Sequence, residues 1–182
     1  MARLFVALLP PPAVRAELAA LAGPLPGVRW SPEANLHLTL RFIGEANMEM
    51  PGHFEAALAR VQVEPFALPV GGVGVFPSRG PAKVLWVGTG NGHTRLHQLR
   101  KQVDEVLLAV DPTLEVRHFH PHFTLGRVAE AGGAKALAKF ISRQEKFEAP
   151  PFRVTEFSLM ASELQPGGPP VYRIVRTFDL AR

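Results

Sequence analysis

Runs of apolar residues and their spacing divide the chain into strands and helices. Short apolar runs bounded by Pro and Gly predict extended strands. These segments are 3–9, 28–31, 35–44, 65–77, 83–89, 114–119, 120–128, 150–162 and 171–180. Apolar residues that recur every three or four positions predict helices at 12–22, 51–61, 94–110 and 134–143. Paired strands with helices between them favour an α+β fold with two antiparallel-rich sheets facing each other.

Three short sequences of the first half recur in the second half in the same order. The matching pairs are LFVAL at 4–8 with LWVGT at 85–89, HLTL at 37–40 with HFTL at 122–125, and Pro65-Phe66 with Pro151-Phe152. Their separations of 81, 85 and 86 residues are close to half of the 182-residue chain. We therefore predict a single domain over 1–182 made of duplicated β-α-β-β-α-β units, with halves at about 1–82 and 83–182.

Each half carries one His-φ-Thr-φ motif, where φ is apolar, on a predicted strand. Because side chains alternate along a strand, His37 and Thr39 share one face, as do His122 and Thr124. If a pseudo-twofold axis relates the two halves so that these two faces lie opposite each other, two imidazoles and two hydroxyls line one cleft. One neutral imidazole can then take a proton from an attacking oxygen while an imidazolium protonates the leaving oxygen, which suits in-line displacement at phosphorus.

Other interpretations of these polar positions stay open from the residues alone. The side chains of His118, His120 and His122 share one strand face and could be three metal ligands of a metal-dependent hydrolase. Zinc usually requires a wider angular spread and a second element, and no HExxH motif is present. Under regular alternation Arg41 shares the face of His37, where it either contacts RNA or neutralises a carboxylate.

Composition narrows the function classes only slightly. Cysteine is absent, which excludes disulfides, thiolate chemistry and Cys-ligated zinc. The net charge of +4 suits a phosphate-bearing partner, but it is too mild to indicate nucleic-acid binding by itself. No apolar run reaches the length of a membrane span, and prolines stop the short apolar run at the N-terminus. We expect a cytoplasmic protein with no membrane association.

The sequences HLTLRFIG and HPHFTLGR, with LFVAL near the start, resemble the 2H phosphoesterases over essentially the whole chain. The closest branch is that of the bacterial and archaeal RNA 2′,3′-cyclic phosphodiesterases, also called 2′-5′ RNA ligases. The resemblance implies a bilobal fold with both motifs in a central groove, helices outside, and no metal or other cofactor. It implies hydrolysis of RNA 2′,3′-cyclic phosphate ends to 2′-phosphates, and ATP-independent 2′-5′ ligation in relatives.

By position, the resemblance makes His37 and His122 the acid–base pair and Thr39 and Thr124 phosphate ligands. It also makes Arg127 a phosphate-binding arginine. Arg127 has the opposite parity to His122, so a regular strand would point it out of the cleft. Since Gly126 precedes it, we predict a glycine-mediated irregularity at 126–127 that turns Arg127 back.

The remaining expectations concern supporting residues and partners. His120 should orient the site or lie at its rim. Trp30, Phe76 and Trp86 could stack a base, although core packing is the simpler interpretation, and GGVGVF at 71–76 predicts a bent strand. The expected partners are RNA ends with 2′,3′-cyclic phosphates, such as tRNA fragments, or small cyclic nucleotides, bound by a monomer. A non-catalytic module that binds RNA ends is the second hypothesis.

Overall fold

A computed structural model describes residues 3–45, 50–90, 93–129 and 133–181. Within these ranges the α-helices are α1 (Pro12–Ala19), α2 (Met50–Leu58), α3 (Thr94–Val110) and α4 (Ala134–Arg143). The strands are β1 (Arg3–Leu8), β2 (Val28–Trp30), β3 (Leu38–Glu45), β4 (Phe66–Gly71), β5 (Val73–Phe76), β6 (Val84–Gly88), β7 (His122–Val128), β8 (Glu148–Val154), β9 (Glu156–Glu163) and β10 (Val171–Asp179). The predicted α+β class is confirmed.

The two motif strands lie side by side in the middle of the main sheet. Its strand order is β10-β9-β1-β3-β7-β6-β5, with β2 added on β7, and all of its pairs are antiparallel. Strands β3 and β7 pair only through Leu38 and Phe123. The sheet therefore consists of two strand groups joined at one point, and each group carries one His-φ-Thr-φ motif. A separate two-stranded sheet pairs β4 with β8; β4 begins at Phe66 of the first recurring Pro-Phe sequence, and β8 contains the second.

The two predicted halves of the chain exchange strands. Strand β5 belongs to the first half but pairs with β6, whereas β9 belongs to the second half and pairs with β1. Strand β2 of the first half likewise pairs with β7. Each strand group is thus completed by the other half of the chain.

The main differences from the sequence-based boundaries lie at glycines and loops. The predicted strand 65–77 is two strands, because Gly72 adopts a positive φ of 76° that bends the chain between β4 and β5. Residues 114–119 form no regular strand. His37 lies one residue before β3, after a 3₁₀ turn over Glu33–Asn35, rather than inside a strand.

Helix α3 supplies the apolar stripe that its spacing predicts. Leu96, Leu99, Val103 and Leu107 are each fully buried, and the helix packs on β3 and on α2. Burying a large apolar side chain of this kind contributes about 1.5–3 kcal/mol, so the stripe fixes α3 against the sheet behind the first motif. No helix within the described ranges is long and apolar enough to cross a membrane.

Candidate active site

Backbone carbonyls fix the orientation of both motif histidines in the same way. Nδ1 of His37 lies 2.7 Å from the carbonyl oxygen of Asn35, and Nδ1 of His122 lies 2.6 Å from that of His120. Since a carbonyl oxygen only accepts, Nδ1 carries the hydrogen in each ring. The neutral imidazoles therefore keep their lone pair on Nε2, which is the atom available for proton transfer.

His37 is enclosed by aromatic rings from distant parts of the chain. Its ring centroid lies 5.0 Å from that of Phe5 and 5.1 Å from that of Tyr172, which meets it edge-on. Its Nε2 lies 3.1 Å from Oγ1 of Thr39. Burial lowers the pKa of His37, and the neighbouring charge of His122 lowers it further, against the opposing effect of the Asn35 carbonyl.

His122 has a similar but more open environment. Phe76 meets its ring edge-on at 5.0 Å, and the centroid of Trp86 lies 6.4 Å away. Burial is the main cause that lowers the pKa of His122; the charges of His120 and Arg127 lower it further, and the hydrogen bond to the His120 carbonyl opposes them. In the free protein, burial therefore favours the neutral form of both histidines.

A β-bulge at the same motif position in each strand decides which residue follows the threonine into the groove. Opposite β1, Thr39 pairs with Ala7 and Arg41 with Val6, which leaves Leu40 as the extra residue. Opposite β6, Thr124 pairs with Trp86 and Gly126 with Leu85, which leaves Leu125 as the extra residue. Leu40 and Leu125 close the two HLTL and HFTL sequences, so the pseudo-symmetry extends to the irregularity itself.

The bulge in β7 returns Arg127 to the motif face. Arg127 pairs with Val84, which has the parity of Trp86 and therefore faces the same side as Thr124. The predicted irregularity is present, one residue earlier than 126–127. Gly126 is required beside it, because a β-carbon there would lie 2.8 Å from the backbone oxygen of Arg29 on β2.

The bulge in β3 has the opposite effect on Arg41, and the expected shared face with His37 and Thr39 is wrong. Arg41 turns to the helix side, where Nη1 donates to Oδ1 of Asp104 on α3 at 2.8 Å. Arg100 also pairs with Asp104, so one carboxylate serves two arginines. Only 3% of the surface of Arg41 is exposed, and this small part borders the groove between the two motifs. Sequence analysis offered two roles for Arg41, contact with RNA or neutralisation of a carboxylate, and the structure shows the second.

An open groove of about 640 Å³ connects the two motifs. Its walls include Thr39 and Phe42 from β3, and His122, Thr124 and Arg127 from β7. Phe42 takes the position in β3 that Arg127 takes in β7, and 58% of its surface is exposed. A groove with imidazole, hydroxyl and guanidinium groups on two neighbouring strands can bind a phosphate and move protons at it.

Comparison with known proteins agrees with this geometry. The LigT-like phosphoesterase family model matches the chain twice, over residues 8–86 and 87–171. The chain belongs to the LigT-like phosphoesterase family. A relative from Aeropyrum pernix, an RNA 2′,3′-cyclic phosphodiesterase, is 34% identical over 75% of this chain and 78% of its own.

Solved structures of similar proteins share the fold along almost their whole length. A Thermus thermophilus protein superposes with a TM-score of 0.83 and 28% identity, covering 98% of this chain and 97% of its own. Escherichia coli LigT in complex with 3′-AMP superposes with a TM-score of 0.77 and 26% identity, covering 100% of this chain and 99% of its own.

The other histidines of the HPHFTL region of this LigT-like phosphoesterase do not converge on one point. The rings of His118 and His120 touch edge-on at 5.3 Å, while His122 is held by the His120 carbonyl. Among the described residues, no three His, Asp or Glu side chains are arranged to hold a metal ion. The backbone carbonyl of His120 orients His122, and a role for the His120 side chain itself stays a prediction.

Two residues of the site were not predicted from the sequence, and the interpretation of two others changes. Tyr172 and Phe5 enclose His37, although nothing in their local sequence links them to the motifs. Phe76 and Trp86 are half-buried against His122, so the core-packing interpretation is wrong for them. Trp30 lies elsewhere, edge-on to Phe140.

Proposed function

We propose that the protein hydrolyses 2′,3′-cyclic phosphate ends of RNA to 2′-phosphates, using His37 and His122 as its acid–base pair. The observation that carries this proposal is the matched pair of imidazoles. Each is oriented through Nδ1 by a carbonyl two residues earlier and presents Nε2 for proton transfer. Two such groups are sufficient for phosphodiester hydrolysis, so the mechanism requires no metal ion.

The environments of the two histidines favour distinct roles. His122 lines the open groove, where water reaches it, whereas His37 is enclosed by Phe5 and Tyr172. Neutral His122 takes a proton from water as the oxygen attacks phosphorus. Protonated His37 gives its proton to the 3′-oxygen as the bond from phosphorus to that oxygen breaks. The product carries the phosphate on the 2′-oxygen. The next turnover begins once His122 has released its proton to solvent and His37 has taken one up.

Three further side chains stabilise the phosphate. The hydroxyls of Thr39 and Thr124 donate to non-bridging oxygens, and Arg127 neutralises the charge that develops on them. Arg127 is exposed and forms no salt bridge among the described residues, so its guanidinium is available to an anion. Single groups of this kind contribute roughly 10²- to 10³-fold to the rate.

The substrate class extends to RNA fragments and small cyclic nucleotides. Binding of 3′-AMP by Escherichia coli LigT supports a nucleotide in the corresponding groove. When a 5′-hydroxyl takes the place of water at His122, the same displacement forms a bond from the 5′-oxygen to phosphorus and releases the 3′-oxygen, which gives 2′-5′ ligation without ATP. A monomer in the cytoplasm fits this activity, because both histidines come from one chain.

Alanine substitution of each histidine tests the proposal. His37→Ala and His122→Ala should each lower kcat for adenosine 2′,3′-cyclic phosphate by roughly 10²- to 10⁴-fold, with unchanged circular dichroism. His53→Ala is the matched control, because His53 is exposed on α2. Near-normal turnover in both motif variants would contradict the proposal, and binding of RNA ends without turnover by the parent protein would identify a binding module. Activity lost on adding a chelator would restore the metal hypothesis.

A further inference from the structure

Strand β2 places a second arginine beside Arg127, the residue that neutralises the phosphate in the mechanism above. Arg29 is the register partner of Arg127 in the pairing of β2 with β7. Residues directly opposite each other on antiparallel strands point to the same side of the sheet, with their β-carbons about 4.5–5.5 Å apart. Since Arg127 lines the groove, Arg29 faces the same side of the sheet and lies one strand further out, at the rim.

The neighbours of Arg29 along β2 give it the same orientation. Val28 and Trp30 are half-buried and pack against the hydrophobic core. Because side chains alternate along a strand, the residue between them points away from the core. The side chains of Arg29 and Arg127 are both exposed. Strand register and alternation therefore agree that two guanidiniums lie side by side on the groove side of the sheet.

This pair of arginines carries no counter-charge. Neither Arg29 nor Arg127 forms a salt bridge within the described part of the chain. The other arginines that border the groove each pair with a carboxylate, and they are Arg41, Arg100 and Arg117. Like charges directly opposite each other on paired strands destabilise a sheet, so the fold itself gains nothing from this pair. An anion bound to the two guanidiniums would remove the repulsion between them.

We propose that Arg29 binds a second phosphate of the substrate, the phosphodiester on the 5′ side of the nucleotide that carries the cyclic phosphate. The inference rests on the proposed function, which places the cyclic phosphate at Arg127. In RNA the next negative charge along the backbone belongs to this phosphodiester, and a guanidinium binds phosphate oxygens through charge-assisted hydrogen bonds. Arg29 thereby makes the site favour an RNA end over a nucleoside cyclic phosphate, which lacks the second phosphate.

Binding of two product analogues tests Arg29 independently of hydrolysis. Adenosine 2′,5′-bisphosphate differs from adenosine 2′-monophosphate only in its 5′-phosphate, which takes the place of the phosphodiester. In calorimetric titrations at low ionic strength, the parent protein should bind the bisphosphate about fivefold more tightly, and Arg29→Gln should bring the ratio of the two Kd values close to one. The matched control is Arg60→Gln, which removes the same charge from an exposed arginine after α2 and should leave the ratio as in the parent.

Kinetics with one and two phosphates provide the second measurement. The parent kcat/KM for adenylyl-3′,5′-adenosine 2′,3′-cyclic phosphate should exceed that for adenosine 2′,3′-cyclic phosphate, and Arg29→Gln should lower this ratio about fivefold. The midpoint of urea unfolding should not fall in Arg29→Gln, because the substitution removes a repulsion; a clear fall would assign Arg29 to the fold and contradict the proposal.

The outcomes separate this inference from the proposed function. Parent ratios in Arg29→Gln, or an equal fall in Arg60→Gln, would overturn the second phosphate site even if hydrolysis persists. A preference for the bisphosphate that depends on Arg29, without hydrolysis of either cyclic phosphate, would overturn the proposed function and leave the second phosphate site in place.

Discussion

Replacing Asp104 with Asn should destabilise the protein much more than replacing Arg41 with Met. The Arg41 and Arg100 side chains are 2% and 8% exposed, and both form ion pairs with Asp104. Asp104→Asn leaves two buried guanidiniums with no counter-charge. Breaking a buried pair costs about 3–5 kcal/mol, and we expect about 3 kcal/mol because the Asp104 side chain is itself 21% exposed.

Arg41→Met removes a charge but leaves Asp104 paired with Arg100. The loss is then about one hydrogen bond, or about 1 kcal/mol, partly offset by burial of the Met side chain. Urea unfolding followed by circular dichroism measures both values. Because Arg41 lies on the helix side of β3, the KM of Arg41→Met for a cyclic nucleotide should stay within about twofold of the parent value.

Two results would refute this reasoning. An equal loss of stability in the two variants would mean that Asp104 does not serve both arginines. A rise in KM of tenfold or more in Arg41→Met would mean that Arg41 contacts the substrate, which would contradict the orientation that the bulge at Leu40 gives it.

Three further outcomes follow from the site. Gly126→Ala should lower the free energy of unfolding in urea by about 1–3 kcal/mol, because the added methyl group collides with β2. The control Gly23→Ala, with nothing within 4 Å of its β-carbon, should lower it little, and equal losses in the two variants would contradict this packing. Burial lowers the pKa of both His37 and His122, so the histidine that acts as the acid loses its proton as the pH rises, and kcat/KM should already fall above pH 6.5. A rise in kcat/KM from pH 6.5 to 8 would contradict the lowered pKa values. Tyr172→Leu should expose the ring of His37 and raise its pKa in an NMR titration; an unchanged value would mean that Tyr172 does not shield it.

The fold class and the two motifs could be predicted because they depend on local patterns. The 85-residue separation of HLTL and HFTL indicates a duplication, and alternation places His and Thr on one face. The bulge after Thr124 was also predictable from Gly126, since a glycine beside a side chain of the wrong parity is a local signal.

The matching bulge after Thr39 has no such signal, because Arg41 stands where the second motif has Gly126. Its position depends on the pairing of β3 with β1 and on the carboxylate of Asp104, 63 residues away. The aromatic rings that enclose His37 could not be predicted from local patterns either. Tyr172 reaches His37 only because β9 and β10 return to pair beside β1, which is a property of the whole topology.

The repeat in the sequence also differs slightly from the repeat in the structure. Sequence matching aligns Phe5 with Trp86, but the registers pair Ala7 with Thr39 and Trp86 with Thr124. The structural equivalent of Trp86 is therefore Ala7, two residues away. A small residue beside one motif and an indole beside the other make the two ends of the groove different.

The central claim is that two histidines of one chain open a cyclic phosphate with departure of the 3′-oxygen. Its most direct test is phosphorus NMR of the product formed from a short RNA ending in a 2′,3′-cyclic phosphate, with a chelator present. We predict a 2′-monophosphate with the parent protein and intact substrate with His37→Ala or His122→Ala. A 3′-monophosphate, or undiminished product from both variants, would contradict the account.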